Sequence, residues 1–385
     1  SEQIHALTET QVKALTVTQI SKMTGEQVGA INVDYVDNMS AAQIGAMTST
    51  QVQGLTTEQI GVMGTAQIAA LRTDVIDKLS TDQIAALGTT ATGTEEAPEP
   101  SQLQALSPAQ ITKLTDAQLQ ALSTGEDGQV ANLTNKQLAA MGVDQLNAMS
   151  TDQFASVTAD QVVAFTSGQV SGLNKDLLAA IQPEVLGAMT VAQFKSVTGE
   201  QLAALSTEQV ASFKPTHLAA LSTTQAASLS GEQLAALTED GQIEALKGTV
   251  LSTLDGETQL AAMSATQIGR FDTKQIGALS GAQLSKLDSD QIATLDDAKI
   301  QAISLSAVAN LSTDFISAMN GDQVKALTDK QVKVMTAEQL GAMTTDQIGA
   351  IDGKDLLGLS AAKLNTLSSE QFNALSKEQI QSLSA

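Results

Sequence analysis

Cysteine is absent from the 385 residues, which excludes disulfides, thiolate metal sites and a cysteine nucleophile. Tryptophan is absent too, and one Tyr and seven Phe are the only aromatic residues. A core built from this composition is thin and aliphatic, made of Ala, Leu, Ile, Val and Met. Basic residues are scarce, 20 Lys and Arg against 42 Asp and Glu, for a formal net charge of -22. Such a surface repels nucleic-acid phosphates and anionic lipid, so no nucleic-acid partner is expected. Long apolar runs are missing as well. Nothing approaches the roughly 18 consecutive apolar residues of a membrane helix, so no membrane span is expected. Ser1 to Leu15 carry no basic stretch followed by an apolar one, and no cleavable signal peptide is expected in this form.

What the chain has is a period of eight. Leu15, Met23, Ile31, Met39, Met47, Leu55, Met63, Leu71, Leu79 and Leu87 recur without a slip. Numbered one to eight, the unit reads Ser/Thr, any, often Asp/Glu, Gln, Ile/Val/Leu, any, Ala, Leu/Met, as in Thr56 to Met63, Ser206 to Phe213 and Thr336 to Met343. Ser or Thr followed three residues later by Gln is a capping box: the hydroxyl accepts from the N3 amide while the Gln side chain reaches back to the cap amide. Pro108, Pro183 and Pro215 all fall at position two, the first helical position, where proline forfeits no hydrogen bond. Asp152, Glu200 and Glu208 fall in the first turn, where the helix dipole favours them.

A continuous helix would smear the apolar stripe, because eight residues at about 100° each advance it by about 80° per unit. A break in every octad restores a single face, with positions five and eight side by side and a small residue at position seven allowing close approach. Helices this short are unstable alone, so neighbours must stabilise them. The expected fold is all-α: a solenoid of very short capped helices from about 46 octads. A β-solenoid is the structural alternative. Ala, Gln, Leu, Met and Glu inside the octad speak against it, β-branched residues being concentrated at position five and at the cap.

Four slips interrupt the register. Between Leu87 and Leu106 three residues are gained over two octads, and residues 88–101 read as a Thr/Gly/Pro/Glu loop or hinge in which Pro98 and Pro100 forbid a regular helix. Three more are gained at Ser123 to Gly128, and single residues near Gly241 and Gly256. Each slip carries a glycine, suited to a left-handed excursion. The expected organisation is an octad block 1–87, the loop 88–101, octads 102–254 with insertions near 123–128 and 241, and a block 255–385.

Searching for chemistry finds none. His5 and His217 are far apart in a chain of local contacts, and His217, like Tyr35, falls at position four, where it is expected to replace the Gln hydrogen bond. The carboxylate pairs Asp296-Asp297, Glu95-Glu96 and Glu126-Asp127 read as solvated. No phosphate loop, nucleophile elbow, EF-hand or calcium nonapeptide occurs. No catalytic, cofactor-binding or metal residues are expected, and calcium loosely held on the acidic surface is the only cation the composition suits. The Gln at position four admits two structural readings, a ladder of stacked amides or local capping, and capping suffices.

Stretches such as Ala203-Ala204-Leu205-Ser206-Thr207-Glu208-Gln209-Val210-Ala211 resemble the degenerate tandem repeats of large bacterial cell-surface and secreted proteins. That resemblance covers nearly the whole chain. It implies an extracellular, non-catalytic structural role: a filament subunit, surface-layer component or adhesin stalk. The expected partner is the protein itself, head to tail, together with other surface proteins. Ile4 and Leu7 at one end, and Phe372, Leu375, Ile380 and Leu383 at the other, are the candidate self-association residues, because the apolar pattern runs to both ends without a polar capping unit. The alternative function is a solenoid scaffold that binds a protein partner on its concave face.

Overall fold

In the computed structural model the backbone is described for residues 1–89, 92–94 and 97–383, and side chains for the same residues except 92–94 and 97–99. Glu95-Glu96 and parts of the 88–101 loop therefore lie outside the described residues. The fold is all-α, a solenoid of α-helices four to seven residues long, in most cases one per octad.

Each octad forms its helix for the reasons its residues suggest. In Thr57–Val62 the Thr56 hydroxyl accepts the Gln59 amide at 3.1 Å and Gln59 Oε1 accepts the Thr56 amide at 3.0 Å. Thr16, Ser80, Ser206 and Thr344 repeat this box. Pro108, Pro183 and Pro215 each begin a helix. Most helices end between positions five and seven, and the six-residue ones pass at position eight into an extended backbone that leads to the next cap, as at Leu55 and Met63.

Positions five and eight make the core. Val52, Ile60, Ile68 and Ile84 are sealed, and Met47, Leu55, Met63 and Leu71 nearly so. The larger aromatics obey the same rule: Phe154 at position five lies stacked against Phe165 at position eight, ring centroids 6.3 Å apart. Helices three octads apart pack together, Gly25–Gly29 on Ser49–Gly54 and Ala41–Gly45 on Thr65–Ala70. One close approach is at Gly54, position seven, where a Cβ would stand 2.1 Å from the Gly25 carbonyl oxygen. A small residue there is a steric requirement.

Two compact units divide the chain, Ser1–Ser196 and Val197–Ala385. The first holds the two large insertions. The cap amide of Gly88 donates at 2.6 Å to Gln102 Oε1, 14 residues on where an ordinary box spans 3. The interval Leu87 to Leu106 is thus one octad carrying an 11-residue excursion, the difference of those two spans, and not two octads with three extra residues. Within the excursion Thr92–Thr94 pairs antiparallel with Ala97–Glu99, a two-stranded hairpin that the proline content did not suggest. The second insertion is as expected: Ser123 donates to Gln129 across 6 residues in place of 3, and Gly125 takes φ +95°.

The second unit holds the single-residue slips. Gly241, at φ +82°, absorbs one. The other is absorbed differently from the expectation. Gly256 stays out of the left-handed region, and Gly256–Leu260 instead winds as a π-turn, with Leu260 donating to the Asp255 carbonyl at 3.0 Å. A π-turn takes up an extra residue by widening the helix, so no special backbone angle is needed.

Candidate functional site: a glutamine seam and two open faces

A helix of one and a half turns has more orphan backbone groups than internal hydrogen bonds, since the first four N–H and last four C=O groups lack partners within it. The position-four Gln resolves this at both ends. Its Oε1 takes the cap N–H of its own helix, and its Nε2 donates to carbonyls at positions five and eight of the helix one coil earlier. Gln43 donates to Val12 and Leu15, 31 and 28 residues back, at 3.2 and 2.7 Å. Gln83 donates to Val52 and Leu55 at 2.9 and 2.6 Å, and Gln347 to Ile316 and Met319 at 2.8 and 2.6 Å. One turn of the coil therefore takes between three and four octads, with the seam 28 to 31 residues apart.

The seam explains why these amides are buried. Gln51, Gln59, Gln137 and Gln291 are each 1% exposed, and no buried side-chain nitrogen or oxygen among the described residues lacks a partner. Neither sequence reading alone was complete. The amides do not stack on one another, and they do more than cap. The missed signal is that Glu would serve the capping box equally well, yet Glu never occupies this slot although it is common one position earlier. An ionised Glu has no hydrogen with which to donate to the coil below, and an amide has.

The substitutions at this slot follow the same chemistry. Lys299 and Lys363 donate from Nζ to the carbonyls of Gly269 and Lys333, each 30 residues back, at 2.5 and 2.7 Å. His217 is buried, its Nδ1 accepting the Lys214 cap amide at 3.1 Å and its ring edge-on to Phe213, as expected for a Gln replacement. Tyr35 is only half-buried, and its octad is capped by Asn32, whose Oδ1 accepts the Asp34 amide. Val75, Leu177, Val250 and Phe315 fill the slot with apolar bulk. Asp355 is the outlier, 3% exposed at a position whose register faces carbonyls. Burial pushes its carboxyl above the ordinary value; Lys354 opposes that rise, and Asp352 and Asp329 add to it. Asp255 shows the reverse, held below the usual carboxylate range by the Thr258 hydroxyl and amide it accepts from.

Among the described residues no group of three or more His, Asp or Glu side chains is placed to hold a metal ion, and no helix is long and apolar enough to cross a membrane. Of the candidate self-association residues, Phe372 and Ile380 are open, at 48% and 46% exposed. Ile4, Leu7 and Leu383 are half-buried. Leu375 is 6% exposed and belongs to the core of its own coil, because position eight points inward at this end and position five outward. At the other end the pattern inverts: Val12, Ile20 and Val28 are sealed at position five, and Leu7, Leu15 and Met23 at position eight are half-buried.

The ALTTAQ repeat family model matches residues 28–65, 57–89 and 348–385, the first two overlapping, and supports a short-repeat protein. The six letters of that description read as positions seven, eight and one to four, the capping box together with the seam residue. No curated protein matches the chain.

Proposed function

We propose that this chain is a non-catalytic structural repeat protein that assembles end to end, at the cell surface or outside the cell. The observation that carries the reading is the glutamine seam, one interface repeated from coil to coil along the array. An array whose coils all present one interface has a ready means of growth by the addition of coils, since stacking repeats bury a continuous core. Placement outside the cell draws support from the absence of Cys and the charge of -22, which suit an exposed, soluble surface. Negative-stain microscopy of the purified chain tests assembly: filaments or sheets are expected, and a field of single particles at high concentration, with and without calcium, contradicts it. In that event a single discrete partner in a pull-down would point to the binding-scaffold function. Immunolabelling of intact source cells tests the location, with surface label expected and label only after permeabilisation contrary to it.

A further inference from the structure

We infer that the Asp355 carboxylate and the carbonyl oxygens of Val324, Lys325 and Leu327 form a calcium site, in which one cation takes the place that a side-chain amide holds elsewhere in the seam. The site lies within one coil-to-coil contact and stands or falls apart from assembly.

The seam brings three acceptors to one point. Gln347 Nε2 stands 2.8, 3.3 and 2.6 Å from the carbonyls of Ile316, Ser317 and Met319, at positions five, six and eight. Gln371 meets Leu340, Gly341 and Met343 in the same way, at 3.1, 3.2 and 2.7 Å. Where Gln is missing, Lys363 brings an ammonium group to this place, 2.7 Å from the Lys333 carbonyl. By the same spacing of 31, 30 and 28 residues, Asp355 falls on Val324, Lys325 and Leu327. Asp355 is the only acid at position four in the chain. It is 3% exposed, and no donor among the described residues reaches its carboxylate. The carbonyls of Lys325 and Leu327 likewise have no donor among the described residues.

Oxygen thus faces oxygen in a buried slot, and a positive charge belongs between them. Reach decides between a proton and a metal ion. Aspartate is one methylene shorter than glutamine, roughly 1.3 Å less reach. Its oxygens therefore stop on the order of 4 Å from carbonyls that an amide nitrogen meets at 2.6 to 3.3 Å. A shared proton spans only about 2.5–3.0 Å between two oxygens. A calcium ion about 2.3–2.6 Å from each ligand spans nearly twice that, and it accepts carbonyl and carboxylate oxygens in an irregular shell completed by water. Magnesium demands a tighter octahedron, and zinc favours nitrogen and sulfur ligands. The surrounding charge agrees. Burial chiefly, opposed by Lys354 and helped by Asp352 and Asp329, raises the pKa of this carboxyl. A bound cation relieves both the buried charge and the repulsion. With one carboxylate in the shell the affinity is modest, half-saturation falling at about 10⁻⁴–10⁻³ M.

Two measurements on residues 1–385 test the site: equilibrium dialysis against radioactive calcium in about 0.15 M KCl, which screens diffuse surface charge, and hydrogen exchange of the backbone at 352–359. Asp355→Gln installs the amide found at Gln347 and so should fold. Asp346→Asn removes an exposed carboxylate nearby in sequence and controls for charge. Wild type and Asp346→Asn should bind one calcium that Asp355→Gln lacks. Calcium at about ten times its half-saturating concentration should slow exchange at 352–359 roughly tenfold in both. In Asp355→Gln the same amides should exchange slowly from the start and ignore calcium. Equal binding by wild type and Asp355→Gln overturns the site, as does calcium protection lost equally in Asp346→Asn, since the ions are then held diffusely by the acidic surface. Protection by magnesium as great as by calcium overturns it too.

Discussion

At position four a single amide supplies what two unconnected helix ends lack. The local capping bond needs only an oxygen, which is why a capping signature could be read directly from Thr56 and Gln59 while the cross-coil bond could not. That second bond depends on knowing what lies 28 to 31 residues earlier, and a one-dimensional pattern does not show which octads are neighbours in space. Asp355 tests the argument most sharply. Its register places it against the carbonyls of Val324 and Leu327, where an ionised carboxylate has nothing to donate. Because its folded-state pKa is raised above the ordinary 3.8, the folded chain holds this proton more tightly than the unfolded chain. Stability is therefore lost as pH rises through the interval from 3.8 to the raised folded value. Asp355→Gln should raise stability at pH 7 by about 1 kcal/mol, the worth of a hydrogen bond from the new amide to those carbonyls. The advantage should shrink below about pH 4, where the wild-type carboxyl is protonated. Thermal melts of both proteins at the two pH values check this; an equal difference at both would mean that ionisation is not the cause.

At the scale of the element, the octad is a helix too short to stand alone, stabilised from both sides. Its start, its polarity and its apolar face were legible in Ser/Thr, Gln and the eighth-position aliphatics. Insertions were legible as slips but not as structures: 88–101 forms a hairpin excursion within one octad, and Gly256 is absorbed by a π-turn. Both depend on how the neighbouring coil holds the flanking residues. Two consequences follow for mutation. Gly61 has open space around its missing Cβ, whereas at Gly54 a Cβ would meet the Gly25 carbonyl at 2.1 Å. Gly61→Ala should then stabilise by up to about 1 kcal/mol, and Gly54→Ala should destabilise by about 1–3 kcal/mol; denaturant melts with the same sign for both would refute the close approach. Within residues 263–383, where the period is unbroken, removal of one octad rejoins equivalent residues, whereas removal of four turns the apolar face outward. The eight-residue deletion should keep its helical spectrum and cooperative melt, and the four-residue deletion should lose both. Equal tolerance would mean that the period is not structural.

At the scale of the whole molecule, stability comes from coil-to-coil repetition and not from charge pairs, which are few and exposed, such as Lys13 with Glu9 and Lys286 with Glu257. The interface repeats from one coil to the next, a donating amide meeting the carbonyls 28 and 31 residues earlier. This account makes one position-dependent claim about every seam residue, and the exchange of glutamine side-chain amide protons reads it directly. With glutamine labelled at Nε2, hydrogen exchange followed by NMR on the dilute monomer should show slow exchange for Gln43, Gln59, Gln83 and Gln347. Gln11 and Gln19, with no coil of residues 1–385 beneath them, should exchange at the rate of a free amide. Uniformly fast exchange at all of these positions would contradict the seam, and with it the solenoid's means of holding one coil on the next.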